Sequence, residues 1–230
     1  MSGAQAEVAE EGRPQGLAAR RRLAPETRTP QILAAALEAF AERGYAGARM
    51  AAVAARAGVA KGLIYHYFPS KAELFLATVR ACTQPVFEEA ERRVSAPGGS
   101  ARALLTGLLD IAYARVCEER RERALFKLIV TEAERFPELA RFYEAEILSR
   151  ATGIVRAVLR AGVASGEFRP EVAEMPRLAE VVMAPAIMAS VWQMILGGEG
   201  TAPEPAEMRA THLDLLLAGL SARPGGPGAA

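Results

Sequence analysis

Six side chains suited to gripping an anion or a base edge fall between positions 49 and 71: Arg49, Lys61, Tyr65, His66, Tyr67 and Lys71. They sit inside FAERGYAGARMAAVAARAGVAKGLIYHYFPSKAEL, residues 40–74, where two very short helical patterns flank a glycine and a third helix opens behind a proline. Isolated helices below roughly 12–15 residues are marginal in water, so the short ones need support from a fold. Lys71 falls in the first turn of the third helix, where unpaired N–H groups and the helix dipole already favour an anion. The chemistry implied is phosphate and base contact.

The elements that position these residues can be read in turn. From Met50 to Ala57 helix formers predominate, with Met50, Val53 and Ala57 spaced for an inward stripe. Gly58 stops that helix by taking a left-handed backbone at no steric cost. A second short helix is expected from Ala60 to about Phe68, with Ile64 and Phe68 on one face. Gly62, Leu63 and His66 fall opposite, with Tyr65 and Tyr67 on the flanks. The first face anchors a core; the second is shallow and polar, suited to a groove floor. Both tyrosines also suit a core, and both lysines suit plain solvation. Pro69 ends the helix, and Ser70 with Glu73 forms an S-x-x-E capping box. Helix, tight glycine turn and short second helix make a helix-turn-helix, whose second helix enters the major groove of DNA.

The segment resembles the N-terminal domain of TetR-type transcriptional regulators over roughly residues 28–80. Phe40, Gly44, Val53-Ala54, Ala57-Gly58-Val59, Gly62, Ile64-Tyr65, Tyr67-Phe68, Lys71 and Leu74 carry the resemblance. It implies DNA contacts from Arg49, Ala60, Lys61, Gly62, Leu63, Tyr65, His66, Tyr67 and Lys71, with Tyr65 on phosphate. The family usually has Thr or Ser where this chain has Arg49, and favours Ser or Thr at Ala60 and Leu63. A cap and two hydroxyl contacts are therefore missing, which shifts the expected load to Lys61, the backbone near Gly62 and the tyrosines.

Formal net charge is only +1, but it is unevenly spread. Residues 20–80 hold ten Lys and Arg against four Glu, while residues 81–230 are net −3. Phosphate binding releases counterions, so the local field outweighs the whole-chain sum. With 51% apolar residues the chain can fill a large core. No apolar stretch of 18 residues stands out, and the first 19 residues lack the apolar block of a secretory signal, so a cytoplasmic protein is expected. Cys82 and Cys117 are too few for a disulfide framework or a zinc site. No metal or cofactor is expected. There is no G-x-S-x-G, H-E-x-x-H, phosphate loop or G-x-G-x-x-G, which argues against an enzyme.

The expected fold is all-α: an N-terminal three-helix helix-turn-helix domain followed by a larger helical bundle that dimerises. Residues 1–24 read as a disordered arm ending in Arg20-Arg21-Arg22, either a solvated tail or a source of further DNA contacts. Residues 25–80 read as the DNA-binding domain, its motif at about 49–68; 81–222 as the ligand-binding and dimerisation domain; 223–230 as a disordered tail. Thr29 reads as an N-cap with Pro30 at the first helical position, opening a helix that stops at Gly44. The helix from Ser70 reads as a connector interrupted near Pro85. Further helices are marked by Leu104, Leu105, Leu108, Ile111 and Ala112, then Leu125, Phe126, Ile129, Val130 and Ala133, then a long one from Leu139 to before Gly166.

In the last two helices, at about 176–196 and 205–220, the stretch from Val181 to Ala189 and that from Leu213 to Leu220, apart from Asp214, are apolar nearly all round, so each must be buried on every side. The reading is a homodimer through these helices, as in TetR-like proteins, with closure of the monomer's own core as the alternative. A kink is expected at Pro185. Two recognition helices would then stand about 34–36 Å apart on a palindromic double-stranded operator. A small, mostly apolar effector bound in the bundle would release it, making the chain a repressor. Tyr113, Phe126, Ile129, Phe142, Tyr143, Met183 and Trp192 are the candidate pocket residues, each equally suited to plain core. Alternatives are a ligand-independent architectural DNA binder, or a carrier with a relict motif.

Overall fold

The computed structural model describes residues 25–96, 98–118 and 120–222. The expected arm with Arg20-Arg21-Arg22, and the tail from 223, lie outside the described residues. The described chain is built of α-helices: α1 Pro25–Gly47, α2 Met50–Arg56, α3 Lys61–Tyr67, α4 Lys71–Ser95, α5 Ala101–Tyr113, α6 Arg120–Glu132, α7 Pro137–Phe142, α8 Ser149–Ala164, α9 Leu178–Leu196 and α10 Pro205–Leu220. Among the described residues the extended pairing is a single antiparallel bridge between Phe168 and Ser221. The all-α class and the order of the two parts are as expected.

Several boundaries differ from expectation for physical reasons. Helix α1 begins at Pro25, so Thr29 and Pro30 lie inside it; Pro30 sits early enough that its missing N–H removes a single rung of the ladder. Gly44 does break α1, with φ +70, but helical turns resume to Gly47. Helix α4 is not interrupted at Pro85 and runs unbroken for 25 residues. The Ser70 hydroxyl accepts from the Glu73 N–H at 3.1 Å, the expected cap of this helix. Two π-helical turns, Ala114–Glu118 and Tyr143–Leu148, interrupt stretches that periodicity reads as plain helix. Val130, placed in an inward stripe with Leu125, Phe126 and Ile129, is instead exposed, because at 100° per residue it lies at the edge of that stripe.

One buried cluster joins the N-terminal helices to the bundle. Ile32, Phe40, Tyr45, Val53, Ile64, Leu74 and Phe75 pack with Leu125, Leu128, Ile129 and Leu139 from α6 and α7. At its centre Phe40 meets Phe75 edge-on at 5.0 Å, and Tyr45 meets Phe136 edge-on at 4.6 Å between ring centroids. Such pairs add about 0.5–1.5 kcal/mol each beyond their area burial. A second cluster holds α5, α8, α9 and α10 through Leu105, Leu109, Val158, Phe168 and Val182. There Gly162 is required: an added Cβ would lie 2.0 Å from the Phe168 ring.

The bundle is also clasped by polar contacts. Glu167 caps α5, accepting from the Ser100 hydroxyl at 2.6 Å and from the N–H groups of Ala101 and Arg102 at 2.8 and 3.1 Å. These donors, the Ser100 hydroxyl first, hold its carboxyl down to about 2. Arg209 of α10 pairs with Asp110 of α5. Contrary to the expectation from the sequence, helix α9, with the turn to Glu199, is long and apolar enough by length and composition to cross a membrane. Here its inner side, Ala179, Val182, Ala186 and Ala189, packs within the bundle.

Candidate nucleic-acid interface and effector cavity

The turn between α2 and α3 has the full Schellman geometry. The Val59 N–H donates to Ala54 at 2.9 Å, the Gly58 N–H to Ala55 at 3.1 Å, and Gly58 takes φ +64. This swings the chain so that Ile64, completely buried, and Phe68 pin α3 to the core from behind. The opposite side is left uncovered: Ala60, Lys61, Gly62, Tyr65 and His66 are exposed, and Leu63 and Tyr67 are half-buried. Tyr65, at 44% exposure, stands off the protein, whereas Tyr67 leans on the core. Nothing lies within 4 Å of where a Gly62 Cβ would sit, so its bare backbone is open to a partner.

Arg49 occupies the N-cap position of α2 without capping it, as its side chain requires, and is exposed. Glu42 and Arg56 tie α1 to α2 at 2.6 Å, an exposed pair of small energetic value. Lys71 also has partners within the chain. Its ammonium donates to the Ala46 carbonyl at 3.1 Å and lies 4.8 Å over the Tyr45 ring, so it braces the turn that delivers α2. Burial, then nearby Glu138, pushes the Tyr45 phenol up to about 12, so that ring is a neutral platform. No sequence signal links Lys71 to residues 25 positions earlier.

A cavity of about 220 Å³ lies in the bundle. Helix α4 supplies Val79, Cys82, Thr83, Val86 and Phe87, α5 supplies Leu105 and Leu108, and α6 supplies Leu125, Phe126 and Ile129. Of the expected pocket residues, Phe126, Ile129, Tyr143 and Met183 line it, and three do not. Tyr113 is buried beside Cys117, Ala186 and Ala189, its hydroxyl 3.3 Å from His212 Nδ1. Phe142 is spent in the core beneath the Arg80 guanidinium. Trp192 lies on the outer side of α9, 37% exposed. The α4 contribution was missed because that helix read as a mere connector. The π turn at 143–148 supplies Tyr143 and Ile147 to the wall, and burial raises the Tyr143 phenol above its usual range.

The outer sides of α9 and α10 remain apolar and uncovered. Val181 is 61%, Ile195 67% and Leu215 68% exposed, with Met188 and Trp192 between the first two along α9. Val181, Pro185, Met208, His212 and Leu215 form a shallow groove between the two helices.

Residues 32–78 match the family model of bacterial regulatory proteins of the tetR family, and residues 96–209 match that of the tetracyclin repressor-like C-terminal domain. The chain belongs to the TetR family. Among curated TetR-like relatives, the transcriptional activator FasR of Mycolicibacterium smegmatis is 48% identical over 59 residues, 26% of this chain and 27% of its own. The transcriptional repressor KstR2 of Rhodococcus jostii is 28% identical over 146 residues, 63% of this chain and 70% of its own. The chain thus spans little more than a quarter of FasR's length in that match. A transcriptional regulator from Saccharomonospora viridis in complex with choline superposes with TM-score 0.70 at 23% identity, covering 86% of this chain and all of that one. FadR from Bacillus subtilis, in complex with stearoyl-CoA, superposes with TM-score 0.62 at 19% identity over 83% of this chain and 98% of its own. At these identities the superpositions speak for the fold.

Proposed function

We propose that this TetR-family regulator acts in the cytoplasm as a homodimeric repressor that a small, mostly apolar effector releases from a palindromic operator. The observation that carries the DNA half is the split character of α3, with Ile64 and Phe68 fully engaged behind and Lys61, Gly62, Tyr65 and His66 uncovered in front. Arg49, Ala60, Leu63 and Tyr67 extend that front, and Lys71 adds charge at its edge. The basic excess of residues 20–80 supplies the phosphate attraction.

The apolar outer sides of α9 and α10 support the dimer: side chains such as Val181, Ile195 and Leu215 face water in one copy, and a four-helix interface would cover them. Residues 25–80 would form the reading head and 81–222 the effector and dimer domain. The switch rests on two shared elements. Helix α4 gives Leu74 and Phe75 to the reading-head core and Cys82, Val86 and Phe87 to the cavity. Helix α6 gives Leu128 to the first and Phe126 to the second. An effector that fits only a spread cavity biases both helices and moves the paired heads out of register.

Selection of bound duplexes from random DNA tests this reading. A two-fold symmetric site with half-sites one helical turn apart is the expected result. Steep salt dependence without sequence preference would mark an architectural binder instead.

A further inference from the structure

Among the residues that line the cavity, the charged ones are Arg115 and Glu122, and Arg115 alone among the lining residues is exposed. The Arg115 guanidinium donates to the Glu122 carboxylate at 3.2 Å, longer than the about 2.7–2.9 Å of a good charge-assisted bond. Both side chains keep water contact, at 46% and 22% exposure, so the pair contributes little and costs little to replace. The nearest other cation along the chain with a described contact, Arg123, is committed to the Cys117 carbonyl at 2.7 Å. The Thr83 hydroxyl is committed to the Val79 carbonyl at 3.1 Å. The cavity therefore offers a long apolar wall and, at its wet end, one guanidinium with donors to spare. A cavity of about 150 Å³ is enough for the six carbons of benzene, so about 220 Å³ suits about nine heavy atoms.

We propose that the effector is a small amphiphile bearing one carboxylate, which takes the place of Glu122 on Arg115 while its hydrocarbon part fills the cavity. This rests on the cavity being the effector site. The exchange has a built-in consequence. Glu122 lies in the first turn of α6, the helix that also carries Leu125, Leu128 and Ile129 into the reading-head core, so releasing it frees the end of that helix from the π turn at 114–118. A cationic ligand is disfavoured because the spare polar capacity at this end is the N–H donors of the more exposed Arg115, which repel a cation, and a much larger ligand because the volume is small.

Calorimetric titration of the full chain with octanoate, 1-octanol and octylammonium, which share one tail, tests the idea. Octanoate should bind about tenfold or more tighter than octanol, with octylammonium weakest. Arg115→Gln should bring octanoate down to the octanol level while leaving octanol unchanged, which also shows that the cavity is intact. Glu122→Gln should tighten octanoate several-fold by removing the competitor. Equal binding of acid and alcohol, tightest binding of the amine, or an Arg115→Gln protein that still prefers octanoate would overturn the head-group assignment and leave the cavity standing. Binding of none of the three would overturn the cavity as an effector site, and the carboxylate with it.

Discussion

Helices α3 and α9 both bury one side and leave the other uncovered, but what they leave uncovered differs in kind. The seven residues of α3 are held by Ile64, and their free side is a glycine, a lysine, a tyrosine and a histidine. The 19 residues of α9 are held by Ala179, Val182, Ala186 and Ala189, and their free side is Val181, Met188, Trp192 and Ile195. A polar free side rests in water until a charged partner replaces the solvent, so its contacts can form and dissolve. An apolar free side is unfavourable in water at all times, so its partner should be permanent. On the proposed reading, the same architecture has a reversible end and an obligate end.

The sharpest break in that contrast should come from α9. Met188→Asp with Ile195→Asp should give a monomer by light scattering at micromolar concentration and cost roughly 10²–10⁴-fold in operator affinity, because two half-sites no longer bind as one. Unchanged mass would remove the obligate end from the picture. Next is Ile64→Ala, which empties a completely buried site and should cost about 2–5 kcal/mol in denaturant melts. Lys61→Ala, on the uncovered side of the same helix, should leave the melting temperature unmoved and cost about 1–3 kcal/mol in specific binding by gel shift.

Lys71→Ala should do a little of both. Loss of the Ala46 bond and the Tyr45 contact should lower stability by about 1 kcal/mol. If the ammonium also meets a phosphate, the salt slope of DNA binding falls by about 1. The smallest effect is a pH dependence from Glu167. Its carboxyl is held below its usual value in the folded chain, so its contribution is present above pH 4.5 and is lost as pH falls towards 2. Glu167→Gln should flatten acid unfolding across that window, measured by circular dichroism.

Legibility tracked the same divide between local and distant causes. Gly58 and Pro69 punctuate the chain, and the spacing of Ile64 and Phe68 is a helix face, so α3 and its free side could be read residue by residue. Helices α9 and α10 were legible because the stretches from Val181 to Ala189 and from Leu213 to Leu220 are apolar nearly all round, apart from Asp214. Thr29-Pro30 misled because a proline in the second turn of a longer helix looks the same as one at its start. Pro85 misled for a related reason, since one lost rung does not end a helix that is packed along its length. Tyr113, Phe142 and Trp192 have the composition of pocket residues, but one residue of register decides between cavity, core and surface. The π turn at 143–148, which brings Tyr143 and Ile147 to the cavity wall, leaves no mark in hydrophobic periodicity. The partners of Lys71 and Arg115 depend on how helices meet, which spacing along the chain does not encode.

The unbroken run of α4 has a practical corollary for anyone recombining these proteins. The two family models stop at 78 and resume at 96, which makes the interval look like a free joint, yet residues 71–95 are one unbroken helical rod. Adding or removing a single residue there turns everything downstream by about 100° and shifts it by about 1.5 Å. Grafts of a foreign sensor onto this reading head therefore have to keep the rod at its native count and cut at Pro97-Gly98-Gly99, where a splice leaves the phase of the rod untouched.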